Sequence, residues 1–342
     1  MKVGILSGGG DAPGINAVIR AVVRKGIHNY GYEIIGIKDG WNGLLKGECT
    51  RLDLNAVSGI LPRGGSILGT SRTNPFKTKE GPKKILENAK KAGIEAVIAI
   101  GGEDTLSVAH KMSELGLKSV GVPKTIDNDL SGTDYTFGFD TAVSIVTEAL
   151  DRLHTTAETH HRVIILEVMG RYTGWIALES GLAGGADIIL IPEKPFDIGR
   201  VCEYIQQRHE RGRNFSIIVV AEGAKPKGGV EIVYSESFDE FGHIRLGGVG
   251  YFIGKEIERC IQVETRVVVL GHLQRGGTPT AFDRILATRY GIAAIDLVHE
   301  ERFDRMVSLK CNRIESVPLK DVVGKRKTVD LELYEIASVF FG

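Results

Sequence analysis

The chain has few cysteines, no excess of charge of either sign and no long apolar run, and each of these absences argues against a class of protein. Four of its 342 residues are cysteines, and Cys49, Cys202, Cys260 and Cys311 are far apart and form no CxxC pair. Such spacing is typical of reduced packing residues in the cytosol rather than of a disulfide framework or a zinc site. We therefore expect a cytoplasmic protein.

Charge and hydropathy argue against two further classes. Lysine plus arginine and aspartate plus glutamate both number 43, so the formal net charge is zero. A neutral chain is not expected to bind nucleic acid or anionic membranes in general. No apolar run approaches the roughly 18 residues of a membrane span. We also expect no signal peptide, because the chain reaches the motif GGGD at residues 8–11 within one strand's length.

Short apolar runs alternate with segments of helical periodicity along most of the chain. Strands are predicted at residues 2–7, 33–38, 96–100, 119–122, 162–168, 188–191, 216–221 and 266–270, with helices between most of them. This alternation predicts layered α/β domains with mainly parallel sheets. Residues 39–43 are interpreted as a turn, residues 228–244 receive no assignment, and residues 331–341 predict a short terminal helix.

Two polar loops, IGGEDTL at residues 100–106 and VGVPKTIDNDL at residues 120–130, each follow a predicted strand. Open α/β sheets bind ligands at the carboxyl ends of their strands, where both loops lie. The charged residues of the two loops are Glu103, Asp104, Lys124, Asp127 and Asp129. Carboxylates that hold Mg²⁺, a carboxylate that accepts a proton and a lysine for phosphate charge are the parts of a phosphoryl-transfer site. The alternative is a pair of turns rich in Asp and Asn.

Two further loops carry candidate phosphate ligands. The motif GGGDAPG at residues 8–14 lies between a predicted strand and a helix predicted at residues 15–30. Backbone N–H groups there, with the helix N-terminus, would form a phosphate cradle, although a ligand-free turn would look the same. In the loop at residues 64–76, Arg72 stands among small residues. It is either a phosphate clamp or an ordinary exposed arginine.

Four segments together resemble the signature segments of the phosphofructokinase family. They are GGGDAPGIN at residues 8–16, PKTIDND at residues 123–129, MGR at residues 169–171 and GHLQRGG at residues 271–277. The resemblance extends from the first residue to about residue 304. It implies two similar doubly wound α/β domains, mainly of parallel sheet, with the active site between them.

The resemblance also implies a division of the chain. Residues 1–138 and 275–325 would bind the phosphoryl donor and the metal, and residues 139–274 would bind fructose 6-phosphate. Residues 326–342 would form a C-terminal tail. The donor side would comprise Gly10, Arg72, Asp104, Thr105 and Lys124, and Glu103 would be the Mg²⁺ ligand.

Individual roles follow from the same resemblance. Asp127 matches the family's proton acceptor, and Arg171 matches a contact to the substrate and the transition state. The sugar site would comprise Thr125, Asp127, Arg162, Met169, Gly170, Arg171, Glu222, Arg266, His272 and Arg275. Within that set, Arg162 and Arg266 match arginines that reach the 6-phosphate from a neighbouring subunit, so a homo-oligomer, dimer or tetramer, is implied.

Some of these residues have ordinary alternative interpretations when the resemblance is set aside. Arg162 and Arg266 flank predicted strands and are also compatible with plain surface arginines. His272 is also compatible with a partly buried, hydrogen-bonded histidine. Met169 suits packing, since methionine mostly fills gaps in cores.

Two charged residues separate the chain from the family's ATP-dependent pattern, which typically has glycine at the positions of Asp104 and Lys124. Asp104 would fill the space of the α-phosphate of ATP and repel it, whereas diphosphate has no α-phosphate. Lys124 can stabilise the charge that grows on a phosphate leaving group. A plain salt bridge between the two is the alternative, and it would still crowd ATP.

The chain therefore resembles the diphosphate-dependent subgroup of the family. We expect Mg²⁺-dependent, reversible transfer of a phosphoryl group from diphosphate to the 1-hydroxyl of fructose 6-phosphate, giving fructose 1,6-bisphosphate and phosphate in glycolysis. An ATP-dependent 6-phosphofructokinase is the alternative within the family. A non-catalytic phosphosugar- or nucleotide-binding regulator is the alternative from another class, although binding alone needs neither a base nor a metal carboxylate.

Overall fold

A computed structural model describes residues 1–229, 233–238, 244–246 and 248–341 of the chain. The strands are β1 (Lys2–Ser7), β2 (Glu33–Ile37), β3 (Cys49–Leu52), β4 (Ala96–Gly101), β5 (Ser119–Pro123), β6 (Val163–Val168), β7 (Ile188–Leu190), β8 (Ser216–Ala221), β9 (Val233–Phe238), β10 (Ile244–Leu246), β11 (Thr265–Val269), β12 (Arg305–Lys310) and β13 (Arg313–Pro318). The helices are α1 (Ile15–Tyr30), α2 (Trp41–Lys46), α3 (Gly81–Ala92), α4 (Glu103–Glu114), α5 (Phe139–His160), α6 (Trp175–Ala183), α7 (Ile198–Glu210), α8 (Val249–Ile261), α9 (Ala281–His299) and α10 (Leu331–Ser338). Strands and helices alternate, as the apolar periodicity predicts.

The first sheet has seven strands in the order β13-β12-β5-β4-β1-β2-β3. Its five central strands run parallel, and β3 and β13 are antiparallel edges. Ser7 pairs with Ile100, and Gly101 pairs with Pro123, so β1, β4 and β5 end side by side. The strand order reverses at β1, which places a ligand crevice at these carboxyl ends.

The second sheet has four parallel strands in the order β11-β6-β8-β7. Its apolar side chains point alternately to two layers. Ile164 and Leu166 lie in a core with residues of α5 and α6, whereas Val163 and Ile165 lie in a core with residues of α7 and α8. The terminal helix α10 joins the first of these cores through Tyr334.

The mainly parallel α/β fold class is confirmed, and most predicted elements lie within one or two residues of the observed ones. The turn predicted at residues 39–43 was wrong in part, because α2 begins at Trp41. That helix has six residues, too few for helical periodicity to show in a sequence. Strands β3, β12 and β13 were not predicted, since two of them are partly exposed edges.

The unassigned stretch at residues 228–244 contains β9, and residues 230–232 and 239–243 lie outside the described residues. The domain boundaries stay a prediction, although β12 and β13 join the first sheet from late in the chain, as the predicted division requires. Among the described helices, none is long and apolar enough to cross a membrane.

Candidate active site

A cleft lies where the carboxyl ends of the strands of both sheets meet. Its lining residues are Gly9, Gly10, Asp11, Arg72, Gly102, Glu103, Asp104, Thr105, Lys124, Thr125, Ile126, Asp127, Asp129, Met169, Arg171, Tyr172, Glu222, Arg275 and Arg326. The first sheet supplies one wall through the loops after β1, β4 and β5. The second sheet supplies the other through the loops after β6, β8 and β11. Donor-side and sugar-side candidates therefore share one cleft.

The glycine loop after β1 is held by backbone hydrogen bonds that expose it to the cleft. The Gly8 N–H donates to the Ile100 carbonyl at 2.9 Å, and the Gly9 N–H donates to the Ser71 carbonyl at 2.9 Å. The second bond brings the loop carrying Arg72 beside the glycines. A side chain on Gly10 would collide with the guanidinium of Arg275, so glycine there allows the two walls to meet.

Lys124 is buried at the end of β5 and donates a hydrogen bond from its ammonium group to the Gly10 carbonyl. Burial lowers its pKa to about 7, and the neighbouring Arg275 and Arg72 act in the same direction. Asp11 and Asp127 oppose that shift. An anion bound beside this amine would favour its protonated form, which is how a buried lysine stabilises phosphate charge.

Three carboxylates in the cleft hold protons more tightly than usual. Burial raises the pKa of Asp127, although Arg275 and Arg171 pull it down. Burial, with repulsion from Asp127, raises the pKa values of Asp129 and Glu222 to about 7. Carboxylates perturbed toward neutrality in a cleft are candidates for proton transfer.

Two arginines carry donors that other side chains do not satisfy. Within the part of the chain that the structure describes, Arg171 Nη1 and Arg275 Nε are buried and make no hydrogen bond. Buried donors normally have partners, and guanidinium groups bind phosphate oxygens well. Both arginines line the cleft, from the loops after β6 and β11, and their unsatisfied donors indicate a site for an anionic substrate.

Glu103 and Asp104 occupy the first turn of α4, beside the cleft. One oxygen of Glu103 accepts a hydrogen bond from the Gly324 N–H at 3.1 Å. Among the residues described, no group of three or more His, Cys, Asp or Glu side chains could hold a metal alone. Mg²⁺ is usually bound by one or two carboxylates together with water and substrate phosphates. The residues therefore fit Mg²⁺ that binds with a phosphate ligand.

Four predicted residues of the sugar site do not line the cleft: Gly170, His272, Arg162 and Arg266. Gly170 shapes the loop after β6, because its φ of 138° lies in the region that favours glycine. His272 is exposed on the 3₁₀ turn that also carries Arg275. Their roles stay predictions.

Arg162 and Arg266 lie near the amino ends of their strands, at the opposite end of the second sheet from the cleft. Arg162 immediately precedes β6, and Arg266 is the second residue of β11. At about 3.3 Å per residue, Arg162 lies about 20 Å from the carboxyl end of β6, and Arg266 lies about 10 Å from that of β11. Both form ion pairs with Glu264, and the Arg162 pair is 2.7 Å long. Neither arginine lines the cleft of its own chain.

Several residues of the cleft were missed by the sequence interpretation: Gly9, Asp11, Gly102, Ile126, Tyr172 and Arg326. Gly9 and Asp11 lie within the motif GGGD and could have been included. Arg326 stacks on the Tyr172 ring, 3.8 Å from its centroid. It comes from a charged tail that has no motif, so no local signal indicated its position. Asp129 was noted as a carboxylate but received no role.

A glycine phosphate loop, perturbed carboxylates and orphan arginine donors at the ends of two parallel sheets are typical of a phosphotransferase acting on an anionic substrate. The model of the family Phosphofructokinase matches residues 2–298. The chain belongs to the phosphofructokinase family.

Relatives similar to this chain are named for two different donors. The chain is similar to a pyrophosphate--fructose 6-phosphate 1-phosphotransferase of Streptomyces coelicolor, with 58% identity and all of both chains covered. It is similar to an ATP-dependent 6-phosphofructokinase 3 of the same organism, with 51% identity and 96% of both chains covered. Among solved structures, a pyrophosphate-dependent phosphofructokinase from Marinobacter aquaeolei superposes with a TM-score of 0.83 at 25% identity, over 97% of this chain and 86% of that one.

Proposed function

We propose that this chain is a diphosphate-dependent phosphofructokinase. It transfers a phosphoryl group from diphosphate to the 1-hydroxyl of fructose 6-phosphate, reversibly, and gives fructose 1,6-bisphosphate and phosphate. The full-length relative at 58% identity carries the name of this activity. We place the reaction in glycolysis and in the cytoplasm.

The observation that carries the choice of donor is that Asp104 and Lys124 line one cleft. The ATP pattern of the family has glycine at both positions. A carboxylate at residue 104 crowds and repels an α-phosphate, which diphosphate lacks. Overall identity separates the two donor classes by only a few per cent, so these two side chains are the sharper argument.

The residues of the cleft divide the work of an in-line transfer, which needs positioning and charge stabilisation more than covalent help. Asp127 accepts the proton of the sugar 1-hydroxyl, and the raised pKa of its carboxyl group makes the carboxylate a stronger base. Arg171 stabilises the transferred phosphoryl group. Lys124 stabilises the leaving phosphate, which gains negative charge as the bond breaks.

The remaining cleft residues bind the two substrates. Gly10, Arg72 and Thr105 bind diphosphate together with Asp104 and Lys124. Thr125, Met169, Gly170, Glu222, His272 and Arg275 bind the sugar phosphate. Glu103 holds Mg²⁺, which would neutralise phosphate charge when bound. Arg162 and Arg266 bind the 6-phosphate in the cleft of a second copy of this chain.

ATP-dependent phosphofructokinase is the second candidate, because relatives with that name match at 51% identity over nearly the full length. Variants of Asp104 and Lys124 distinguish the two functions. Replacing Asp104 with glycine should open space for ATP and relieve repulsion. Replacing Lys124 with glycine should lower kcat with diphosphate by about 10²–10³, as for other preorganised charges.

The experiment is an aldolase-coupled assay of kcat/KM with diphosphate and with ATP. The parent, Asp104→Gly, Lys124→Gly and the double variant form the set. The parent should use diphosphate far better than ATP, and the double variant should shift toward ATP. The two single effects should not add, because neighbouring charges couple. A parent that prefers ATP would reject the diphosphate assignment and leave the family unaffected.

Glu103→Ala tests the proposed metal ligand. The variant should need more Mg²⁺ for half-maximal activity, since one hard oxygen ligand is lost. Glu114→Ala, at the far end of the same helix, is the matched control. An unchanged Mg²⁺ titration for Glu103→Ala would move the metal to another carboxylate.

A further inference from the structure

Residues 324–327, called the strap below, bring the end of the chain to the metal side of the cleft. The Gly324 N–H donates to Glu103 at 3.1 Å. The Lys327 N–H donates to the Asp129 carbonyl at 2.8 Å. Between these two bonds, Arg326 forms a backbone bridge with Leu130. The strap is therefore attached to the first turn of α4 and to the loop after β5.

Lys327 fixes the strap from the other side. Its ammonium group donates to Asn128 Oδ1 at 2.9 Å and to the Asp134 carbonyl at 2.6 Å. Its carbonyl accepts a hydrogen bond from the Trp175 indole at 3.1 Å. Lys327 therefore attaches the strap to the segment after β5 and to the first residue of α6. The backbone on both sides of Arg326 is thus held in place.

The Arg326 side chain itself is about half exposed and lines the cleft. Its guanidinium lies 3.8 Å from the centre of the Tyr172 ring. The Asp129 Oδ2 atom is 3.8 Å from Arg326 Nε. A charge-assisted hydrogen bond would be about 2.7–2.9 Å long, so Asp129 attracts the guanidinium without binding it tightly. A planar guanidinium held on a ring keeps donors for another oxygen anion.

The cations of the cleft are unevenly placed. The charges of Arg171 and Arg275 lower the pKa values of Asp127 and Glu222, and the charge of Arg72 lowers the pKa of Lys124. The pKa of Asp129 is changed instead by Asp127, which raises it, and by Arg326 and Lys327, which lower it. Since Lys327 is engaged by the loop, Arg326 is the cleft-lining cation on the side of Asp129. A phosphoryl group bound there would otherwise face carboxylates.

We propose that Arg326 binds the phosphoryl group that is transferred, with Tyr172 and the strap as its positioning elements. This inference rests on the proposed function, in which that group is shared by diphosphate and by the 1-phosphate of the product. Fructose 6-phosphate lacks the group. Arg326 should therefore contribute to binding of the bisphosphate and of diphosphate, and should not contribute to binding of the monophosphate.

The test is equilibrium binding of fructose 1,6-bisphosphate and of fructose 6-phosphate by calorimetry, without metal or donor. Arg326→Ala should weaken bisphosphate binding by about ten- to a hundredfold, the scale of one charge-assisted hydrogen bond. Its affinity for fructose 6-phosphate should match the parent. The matched control is Lys325→Ala, which removes the same charge from an exposed neighbour that pairs weakly with Asp321 at 4.0 Å. That control should bind both sugars as the parent does.

Two further variants test how Arg326 is held. Tyr172→Ala removes the ring and should reproduce part of the loss of bisphosphate affinity, and Tyr172→Phe, which keeps the ring, should lose less than Tyr172→Ala. Arg326→Lys keeps the charge without the flat stacking surface and should show a smaller loss than Arg326→Ala. Arg326→Lys also carries the test if the alanine variant loses its thermal unfolding transition.

Two outcomes would overturn the inference. Equal loss of both sugars in Arg326→Ala and Arg326→Lys would make the strap a purely structural element, and unchanged bisphosphate affinity would remove Arg326 from the site. Failure of the proposed function is a separate result. It would show as a parent that transfers no phosphoryl group from diphosphate, or that binds neither sugar.

Discussion

The cleft has a wall from the first sheet, called the donor wall below, and a wall from the second sheet, called the sugar wall. The two walls differ in how many of their predicted site residues line the cleft of the same chain. On the donor wall, every predicted residue from Gly10 to Lys124 lines the cleft. On the sugar wall, Arg162 and Arg266 lie at the amino ends of their strands, remote from the cleft. Donor chemistry is therefore local to three adjacent strand ends. Two predicted cations of the sugar wall do not line the cleft of their own chain, and we propose that they serve the cleft of another copy.

The largest expected effect comes from removing the proposed proton acceptor on the donor wall. Asp127→Asn should lower kcat by about 10²–10⁴, because the 1-hydroxyl proton loses its acceptor. Affinity for fructose 6-phosphate, measured by calorimetry, should change far less. Steady-state kinetics with saturating diphosphate gives kcat. A variant within a few-fold of the parent would show that Asp127 is not the base.

A smaller effect tests the sugar wall. Arg266→Ala should weaken fructose 6-phosphate binding by about 1.5–3 kcal/mol, the worth of a charge-assisted hydrogen bond. Diphosphate affinity should not change, since that ligand lies on the other wall. Arg152→Ala is the control, because Arg152 is an exposed arginine that pairs with Glu148 on α5. Equal effects of Arg266→Ala and Arg152→Ala would make Arg266 a surface residue.

The smallest expected effect is on stability and follows from the pKa of Glu222, which burial raises to about 7. The folded state binds this proton more tightly than the unfolded chain, where the ordinary pKa is near 4.5. Stability from this group is therefore full below pH 4.5 and is lost as pH rises through about 7. Glu222→Gln removes that loss.

The variant should be more stable than the parent by about 1–2 kcal/mol at pH 8 and nearly equal to it at pH 4.5. Urea unfolding at both pH values measures the difference. A gain of the same size at both pH values would show that the carboxylate is not desolvated in the folded state. The sugar wall would then be more open to water than its burial indicates.

The donor wall was predictable from sequence because its residues are contiguous with apolar strands. Glu103, Asp104 and Lys124 each follow a buried run within four residues, and parallel strands bring their carboxyl ends together. The fold class followed from the same periodicity. The glycine loop after β1 was found in the same way, from its place between a strand and a helix.

The rest of the site depends on contacts between distant parts of the chain, which periodicity does not encode. Arg326 reaches the cleft because the strap bonds to loops some 200 residues earlier, through Glu103 and Asp129. Tyr172 directly follows a recognised motif, but its contact with Arg326 depends on the strap. Strand β12 was missed for a related reason, since it joins the first sheet by pairing with β5, about 185 residues earlier, and β13 joins only through β12.

The contrast between the walls is tested most directly by mixing two inactive variants. Asp127→Asn protein keeps Arg162, and Arg162→Ala protein keeps Asp127. After subunit exchange, a cleft with Asp127 from one copy and Arg162 from the other is complete. Random pairing should restore about a quarter of the parent activity. Activity that stays at the level of the separate variants, with exchange verified by native mass spectrometry, would contradict a sugar site shared between copies.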